Sequence, residues 1–174
     1  DLFASFKAVR IADSSHLELP LAFAESYPGC GNQQGSKAGL KLQANLDLVG
    51  GALHCEVQAG RESDHRSDVA FHCGEGELSV RDLGYFGVNH FEQLHAQGAY
   101  FLSRVPADHV FYDAQGQKLA LRQYLQDGLD REVYLGKHHH FKVRLLVLKV
   151  PKAVREQRLH RLHEDAKRKG RNVC

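Results

Sequence analysis

Between residues 38 and 59 the chain alternates apolar and polar residues almost without a break. Leu40, Leu42, Ala44, Leu46 and Leu48 occupy every second position, with Lys41, Gln43, Asn45 and Asp47 between them. A side-chain period of two belongs to an extended strand with two unlike faces, and this one reads as half-buried with its apolar side inward. After Gly50-Gly51, Leu53, Cys55, Val57 and Ala59 alternate in the same way with His54, Glu56 and Gln58. The two runs predict a hairpin turning at the paired glycines.

The rest of the first hundred residues adds strands and helices around it. Val9 to Asp13 and Leu78 to Asp82 are shorter alternating runs, the first ending at Ser14-Ser15 and the second at Gly84. A helix is expected over 64–73, capped by Ser63 or Asp64. Another is expected over 88–97, where Val88, Phe91, Leu94 and His95 follow helical spacing and Gly98 closes it. Ala99 to Leu102 reads as a buried strand. Strands and helices in this order predict an α/β fold with a mixed sheet and helices packed on it. After Pro106 the pattern changes to short strands (about 109–113, 132–136 and 141–150), a turn at Asp113 to Gly116 and a bend at Lys137 to His140. The sequence divides into a core over 1–106, a β-rich insertion over 107–150 and a basic helix from Pro151, stopped by Gly170 and leading to Cys174.

The charge is uneven. Of 23 Lys/Arg and 21 Asp/Glu, nine and three lie from Lys149 onward, so an acidic body carries a basic end. That distribution points to a metal or catalytic site in one part and a polyanion contact in the other. The best apolar run, Leu145 to Leu148, stops at Lys149, far short of the roughly 18 residues that cross a bilayer. No signal peptide is evident, and methionine is absent. The chain reads as a piece of a longer cytoplasmic protein. Cys30, Cys55, Cys73 and Cys174 form no Cys-x-x-Cys pair and read as buried free thiols. Zinc at His54-Cys55 and His72-Cys73 is disfavoured, since neighbours on a strand point to opposite faces and each pair offers one ligand.

Two aspartates stand out by phase. Asp13 shares a strand face with Val9 and Ile11, and Asp82 shares one with Leu78 and Val80. Each carboxylate follows buried aliphatics at a strand's C-terminal end, where ligand sites gather in open α/β sheets. An uncompensated carboxylate there needs hydrogen bonds, a counter-charge or a metal. Each has a modest alternative role, capping the turn into Ser14-Ser15 or the Leu83-Gly84 turn. If the two strands are parallel neighbours, the carboxylates meet as paired hard donors suited to Mg²⁺ or Mn²⁺.

Five blocks carry a resemblance: Ile11 to Ser15; Gly39 to Leu42 with Asp47-Leu48; Gly60 to Asp64; Arg81 to Phe86; and Ala99 to Arg104. In this order, across roughly residues 9–150, they resemble the DDE insertion-sequence transposases. The Asp82-Leu83-Gly84-Tyr85-Phe86 and Tyr100-Phe101-Leu102-Ser103-Arg104 blocks are the specific ones. The resemblance implies a ribonuclease-H-like fold interrupted by a β-rich insertion, and it makes Asp13 and Asp82 the first two members of an acidic triad. Many relatives carry a basic residue where Leu83 stands. The family's third member is a glutamate in a Tyr-x-x-Arg-x-x-x-Glu setting, and no tyrosine of this chain has that setting. Glu132, Glu156 and Glu164 lack the expected neighbours, so the third acidic residue is expected beyond Cys174 and residues 1–174 alone are expected to be inactive.

The reading is a transposase core that cuts and joins double-stranded DNA at transposon ends and target with Mg²⁺ or Mn²⁺, and that leaves room for a homodimer on DNA. Candidate DNA contacts are Arg104 after the fifth strand and Arg155, Arg158, Arg161, Lys167, Arg168 and Lys169 in the basic helix. Lys41 is read as solvated. The rival readings are a ribonuclease-H-like nuclease without strand transfer, and a decayed transposase that only binds nucleic acid or a partner.

Overall fold

The computed structural model describes residues 3–30, 37–106, 108–120, 128–136 and 140–168. The chain forms two compact units, Asp1–His109 and Val110–Cys174.

The first unit is built on the expected hairpin. Strands β2 (Ala38–Asp47) and β3 (Leu53–Ala59) pair antiparallel, with Leu46 opposite Leu53 and Leu40 opposite Ala59. Gly51, at φ +74°, supplies the left-handed turn residue. The strand before them, β1 (Val9–Leu19), is eleven residues long rather than five. It continues past Asp13 because β2 offers a ladder along its whole length, from Arg10 opposite Asp47 to Leu19 opposite Ala38. On its other side β1 pairs in parallel with β4 (Leu78–Arg81), and β4 pairs in parallel with β5 (Tyr100–Ser103). The sheet order is β3-β2-β1-β4-β5, the mixed sheet expected of a ribonuclease-H-like core.

The helix expected over 64–73 is instead a single 3₁₀ turn, Asp64–Arg66, and a four-residue helix, α1 (Asp68–Phe71). Neither Ser63 nor Asp64 caps α1. Ser67 does, in an extended conformation that breaks the helical run, accepting from the Ala70 N–H at 2.9 Å while donating to Glu56 at 2.7 Å. Helix α2 (Val88–Ala96) forms as expected, and Gly98 at φ +74° ends it with Ala99 N–H to Leu94 C=O at 2.9 Å and Gly98 N–H to His95 C=O at 3.0 Å, a Schellman closure. Phe91 and Leu94 are buried, but His95 is exposed. The Phe91 ring stacks on Phe101 of β5 at 4.3 Å.

Both helices pack on one face of the sheet, and it is the polar face of the hairpin. Gln43 and Asn45 are 0% and 1% exposed, whereas Leu53 and Val57 are more than half exposed on the other face. The alternation is as the sequence implies, but its inward side is reversed. Hydrogen bonds make this tolerable. Asn45 Nδ2 donates to the Val69 and His72 carbonyls at 2.9 and 3.1 Å, and Gln43 is bonded through both amide atoms. Ala12, Ala70 and Tyr85 form the apolar centre of this layer, with Phe71 against them.

In the second unit, β6 (Leu129–Leu135) and β7 (Phe141–Val147) form an antiparallel hairpin, and Phe111, Val133, Leu135, Phe141 and Leu145 are buried. The strand expected over 109–113 is reduced to isolated bridges from Tyr112 to Lys118 and Tyr134. Helix α3 (Lys152–Arg168) follows and buries none of its residues. The Lys137 to His139 bend, Lys169, Gly170 and Cys174 lie outside the described residues. Of the other cysteines only Cys73 is buried, its thiol pushed up to about 11 by burial; Cys30 and Cys55 are exposed because their positions face away from the helical layer or lie in a connection. No helix among the described residues is long and apolar enough to cross a membrane.

Candidate active site

Asp13 and Asp82 are brought together by the parallel pairing of β1 and β4. The last paired positions are Ala12 opposite Arg81, and Arg81 opposite Ser103. Asp13, Asp82 and Arg104 are each one residue further on. Because side chains alternate along a strand, all three belong to the sheet face turned away from α1 and α2. A cleft of about 540 Å³ is lined by Asp13, Asp82 and Arg104 over a floor of Ile11, Val80 and Leu102. A second cleft of about 530 Å³, between α1 and α2, offers the single carboxylate of Asp68 among amides and imidazoles.

Both aspartates are exposed, and both take local backbone hydrogen bonds. Asp13 Oδ1 accepts from Ser14 N–H at 2.8 Å. Asp82 Oδ1 accepts from Gly84 N–H at 2.8 Å and so caps the 3₁₀ turn Leu83–Tyr85. Each retains its second oxygen for other partners, and neither has an ion-pair partner among the described residues. Two carboxylates lining one cleft repel one another, since like charges in water interact by about 1 kcal/mol when about 4 Å apart and more over an apolar floor. A hard divalent cation relieves that repulsion, so the donor set fits one. Among the described residues no three His, Cys, Asp or Glu side chains converge, and the pair stands without a third acidic ligand.

Lys41, read from the sequence as solvated, is instead largely buried and anchors the Gly60 to Asp64 block. Its ammonium lies 3.0 Å from Asp64 and donates to the Glu62 carbonyl at 2.6 Å. Gly60 opens that block where no side chain fits, since a Cβ would stand 2.9 Å from the Gly39 backbone. Burial raises the Asp64 carboxyl, but hydrogen bonds from Lys41 and Gln43, the Lys41 charge and the Ser14 hydroxyl outweigh it and hold the group below the ordinary carboxylate range.

Arg81 is a buried residue of the site region that carries no motif of its own. It is 4% exposed, with Nε on Ser79 Oγ at 2.6 Å and its guanidinium 4.3 Å over the Phe71 ring, and burial lowers its pKa to about 10. The signal was the strand period itself, which turns Arg81 to the face opposite Asp82. Of the helix candidates, Arg155, Arg158, Arg161 and Lys167 have no ion-pair partner among the described residues, while Arg168 pairs with Asp165 at 3.0 Å.

Three relatives match nearly the whole chain. A transposase for insertion sequence element IS231B of Bacillus thuringiensis subsp. berliner is 27% identical over 94% of this chain and 39% of its own length. One for IS231D of Bacillus thuringiensis subsp. finitimus is 27% identical over 95% and 40%. One for IS1151 of Clostridium perfringens is 22% identical over 94% and 40%. The chain thus spans about two fifths of the length of these relatives. The Transposase DDE domain family matches residues 4–169, which include both aspartates and all five resembling blocks, and the chain belongs to that family.

Proposed function

We propose that this chain is part of the catalytic core of a cut-and-paste insertion-sequence transposase, with Asp13 and Asp82 as two carboxylate ligands for Mg²⁺ or Mn²⁺. The observation that carries the reading is their placement one residue past the last paired positions of the adjacent parallel strands β1 and β4, in one cleft. Asp13 and Asp82 would hold the ion, which when bound would supply Lewis-acid polarisation of a phosphate and a more acidic water. The carboxylates hold the charge at the reacting centre, and the apolar floor of Ile11, Val80 and Leu102 limits water beneath it. Arg104, at the cleft edge, is placed to meet a DNA phosphate. The reaction is hydrolysis of a phosphodiester at the element's end, followed by attack of the freed 3′-hydroxyl on target DNA.

In this reading residues 1–106 are the core, 107–150 the insertion, and 151–174 a basic end in which Arg155, Arg158, Arg161, Lys167 and Arg168 of α3, together with Lys169, follow the DNA backbone. The protein works in the cytoplasm on nucleoid DNA, with a homodimer bridging the two ends. Residues 1–174 alone are inactive, because the Asp13–Asp82 pair has no third carboxylate beside it among the described residues. Glu132 instead pairs with Lys142 at 3.1 Å and Glu156 with Lys152 at 3.8 Å.

The test is replacement of each aspartate in a full-length protein carrying a third acidic residue. Asp13→Asn and Asp82→Asn should each abolish metal-dependent cleavage of end-bearing DNA, while binding holds or tightens slightly as a negative charge near phosphate is lost. Cleavage that persists in either variant removes that residue from the metal site.

A further inference from the structure

Behind the carboxylates, on the face covered by α1 and α2, one buried amide ties together both carboxylate-bearing segments. Gln43, at the middle of β2, is 0% exposed. Its Oε1 accepts from the Tyr85 hydroxyl at 2.8 Å and its Nε2 donates to Asp64 Oδ1 at 2.8 Å. The orientation is fixed by chemistry. An ionised Asp64 can only accept, so the amide NH₂ faces it and the amide oxygen is left for Tyr85, which must then donate. Burial pushes the Tyr85 phenol up, and the nearby Asp64, Asp13 and Asp82 act in the same direction against the Ser14 hydroxyl, so the donor keeps its proton.

Gln43 adjoins both carboxylate-bearing segments, one through the Tyr85 hydroxyl and the other through the β1–β2 ladder. Tyr85, 2% exposed, is the last residue of the 3₁₀ turn that Asp82 opens and caps, and its N–H returns to the Asp82 carbonyl at 3.4 Å. Ser14, the residue after Asp13, stands opposite Gln43 in the β1–β2 ladder, and its hydroxyl helps hold the Asp64 carboxyl down. Asp13 lies inside β1 with β2 paired to it, so the ladder holds it. Asp82 lies beyond the β4 ladder in an exposed turn, which is held from behind by the packing of the Tyr85 ring against Ala12, Ala70 and Phe71 and, as a directional tie, by the Tyr85 hydroxyl on Gln43.

We propose that Tyr85 and Gln43 are positioning residues that set the place of the Asp82 carboxylate relative to Asp13, so that divalent-cation affinity depends on a hydroxyl that never touches the cation. This rests on the reading of Asp13 and Asp82 as a cation-binding pair. A neutral amide is the side chain suited to the hub, accepting from one neighbour while donating to the other; leucine at 43 would leave a buried hydroxyl and a buried carboxylate each short of a partner.

The experiment is Mn²⁺ binding to the intact protein without DNA, followed by the electron paramagnetic resonance signal of free Mn²⁺. Tyr85→Phe, which removes one oxygen from the core, should weaken binding about tenfold, the low end for residues that orient metal ligands. Gln43→Leu should do the same, and the double variant no more than the worse single one, since both cut one tie. Asp82→Asn should abolish binding. Phe91→Leu, a packing change in α2 outside the chain of hydrogen bonds, should lower thermal stability and leave Mn²⁺ affinity in place. Binding by Tyr85→Phe within about twofold of the unsubstituted protein, with Asp82→Asn inactive in binding, would refute the positioning role and leave the pair standing, because the expected effect starts near tenfold. Unchanged binding in Asp82→Asn would overturn the pair and the positioning role with it. Equal loss in Phe91→Leu and Tyr85→Phe would reduce the effect to general stability and also refute the proposal. If Gln43→Leu does not fold, Tyr85→Phe against the Phe91→Leu control decides alone.

Discussion

Glu77→Gln is the substitution whose effect can be worked furthest from the structure. Arg10 of β1 and Glu77, the residue before β4, make two hydrogen bonds, Nε to Oε2 at 3.0 Å and Nη2 to Oε1 at 2.9 Å. Their side chains are 12% and 15% exposed. The same carboxylate accepts from Gly74 N–H at 2.9 Å. Removing one partner of a fully buried pair costs about 3–5 kcal/mol, and exposed pairs are worth under about 1. With most of both side chains covered, the glutamine variant should lose about 2–3 kcal/mol at neutral pH, chiefly from leaving Arg10 without its counter-charge. The sign with pH follows from the direction of the shift. The Arg10 hydrogen bonds hold Glu77 below its ordinary value of 4.5, against the opposing effect of burial. Its contribution is therefore complete above 4.5 and is lost as pH falls through the folded value. Urea unfolding followed by far-UV circular dichroism measures this in a chain that has no tryptophan. A loss under about 1 kcal/mol at neutral pH would mean an effectively surface pair, and a difference that does not shrink in acid would show that the carboxylate charge is not what Arg10 requires.

Other substitutions test separate parts of the structure. Phe91→Ala removes a 1%-exposed ring stacked on Phe101 and should cost about 3–5 kcal/mol in the same unfolding measurement; a loss under about 2 would contradict the packing. Arg81→Met should be neutral or stabilising by about 1–4 kcal/mol, because the buried guanidinium has no carboxylate partner among the described residues and its Nη1 has no hydrogen bond there. A marked destabilisation would show that its ring and Ser79 contacts outweigh desolvation. Replacing Arg158, Arg161 and Arg168 together by alanine should weaken DNA binding and flatten the dependence of log K on log salt by about 2–3; an unchanged slope would make α3 a solvated face.

The sequence made some of this plain for physical reasons and hid the rest for others. Period-two alternation identifies a hairpin because Leu46, Leu53 and their neighbours must share a face whichever side is buried. It does not say which side that is. Gln43 and Asn45 are as compatible with the interior as leucine once Tyr85, Asp64 and the α1 carbonyls bond to them, and those partners lie more than twenty residues away in sequence. The Asp13 and Asp82 phases were legible because both carboxylates follow aliphatics by two on short strands. The length of β1 was not, since Ser14 to Glu18 carries little apolar signal and is extended by β2 alone. The helix expected over 64–73 failed at Ser67, a residue equally suited to a helix surface or a new cap. Lys41 reads as a solvated charge in the sequence because its partner Asp64 comes from a separate block that folding brings alongside.

The parallel seam between β1 and β4 also bears on when the site comes into existence. The β2–β3 hairpin joins neighbours in the chain, whereas the Arg10–Glu77 pair at the start of the seam closes a separation of 67 residues. Closing a loop of that length costs roughly 4 kcal/mol from (3/2)RT ln n before any long-range contact repays it. Local pairing therefore has a kinetic head start, and the seam belongs to the later, slower stage of folding. A chain caught between those stages holds Asp13 and Asp82 apart. On the proposed reading, only completion of the sheet would turn them into a cation-binding pair, and a half-folded molecule would carry no assembled means of cutting DNA.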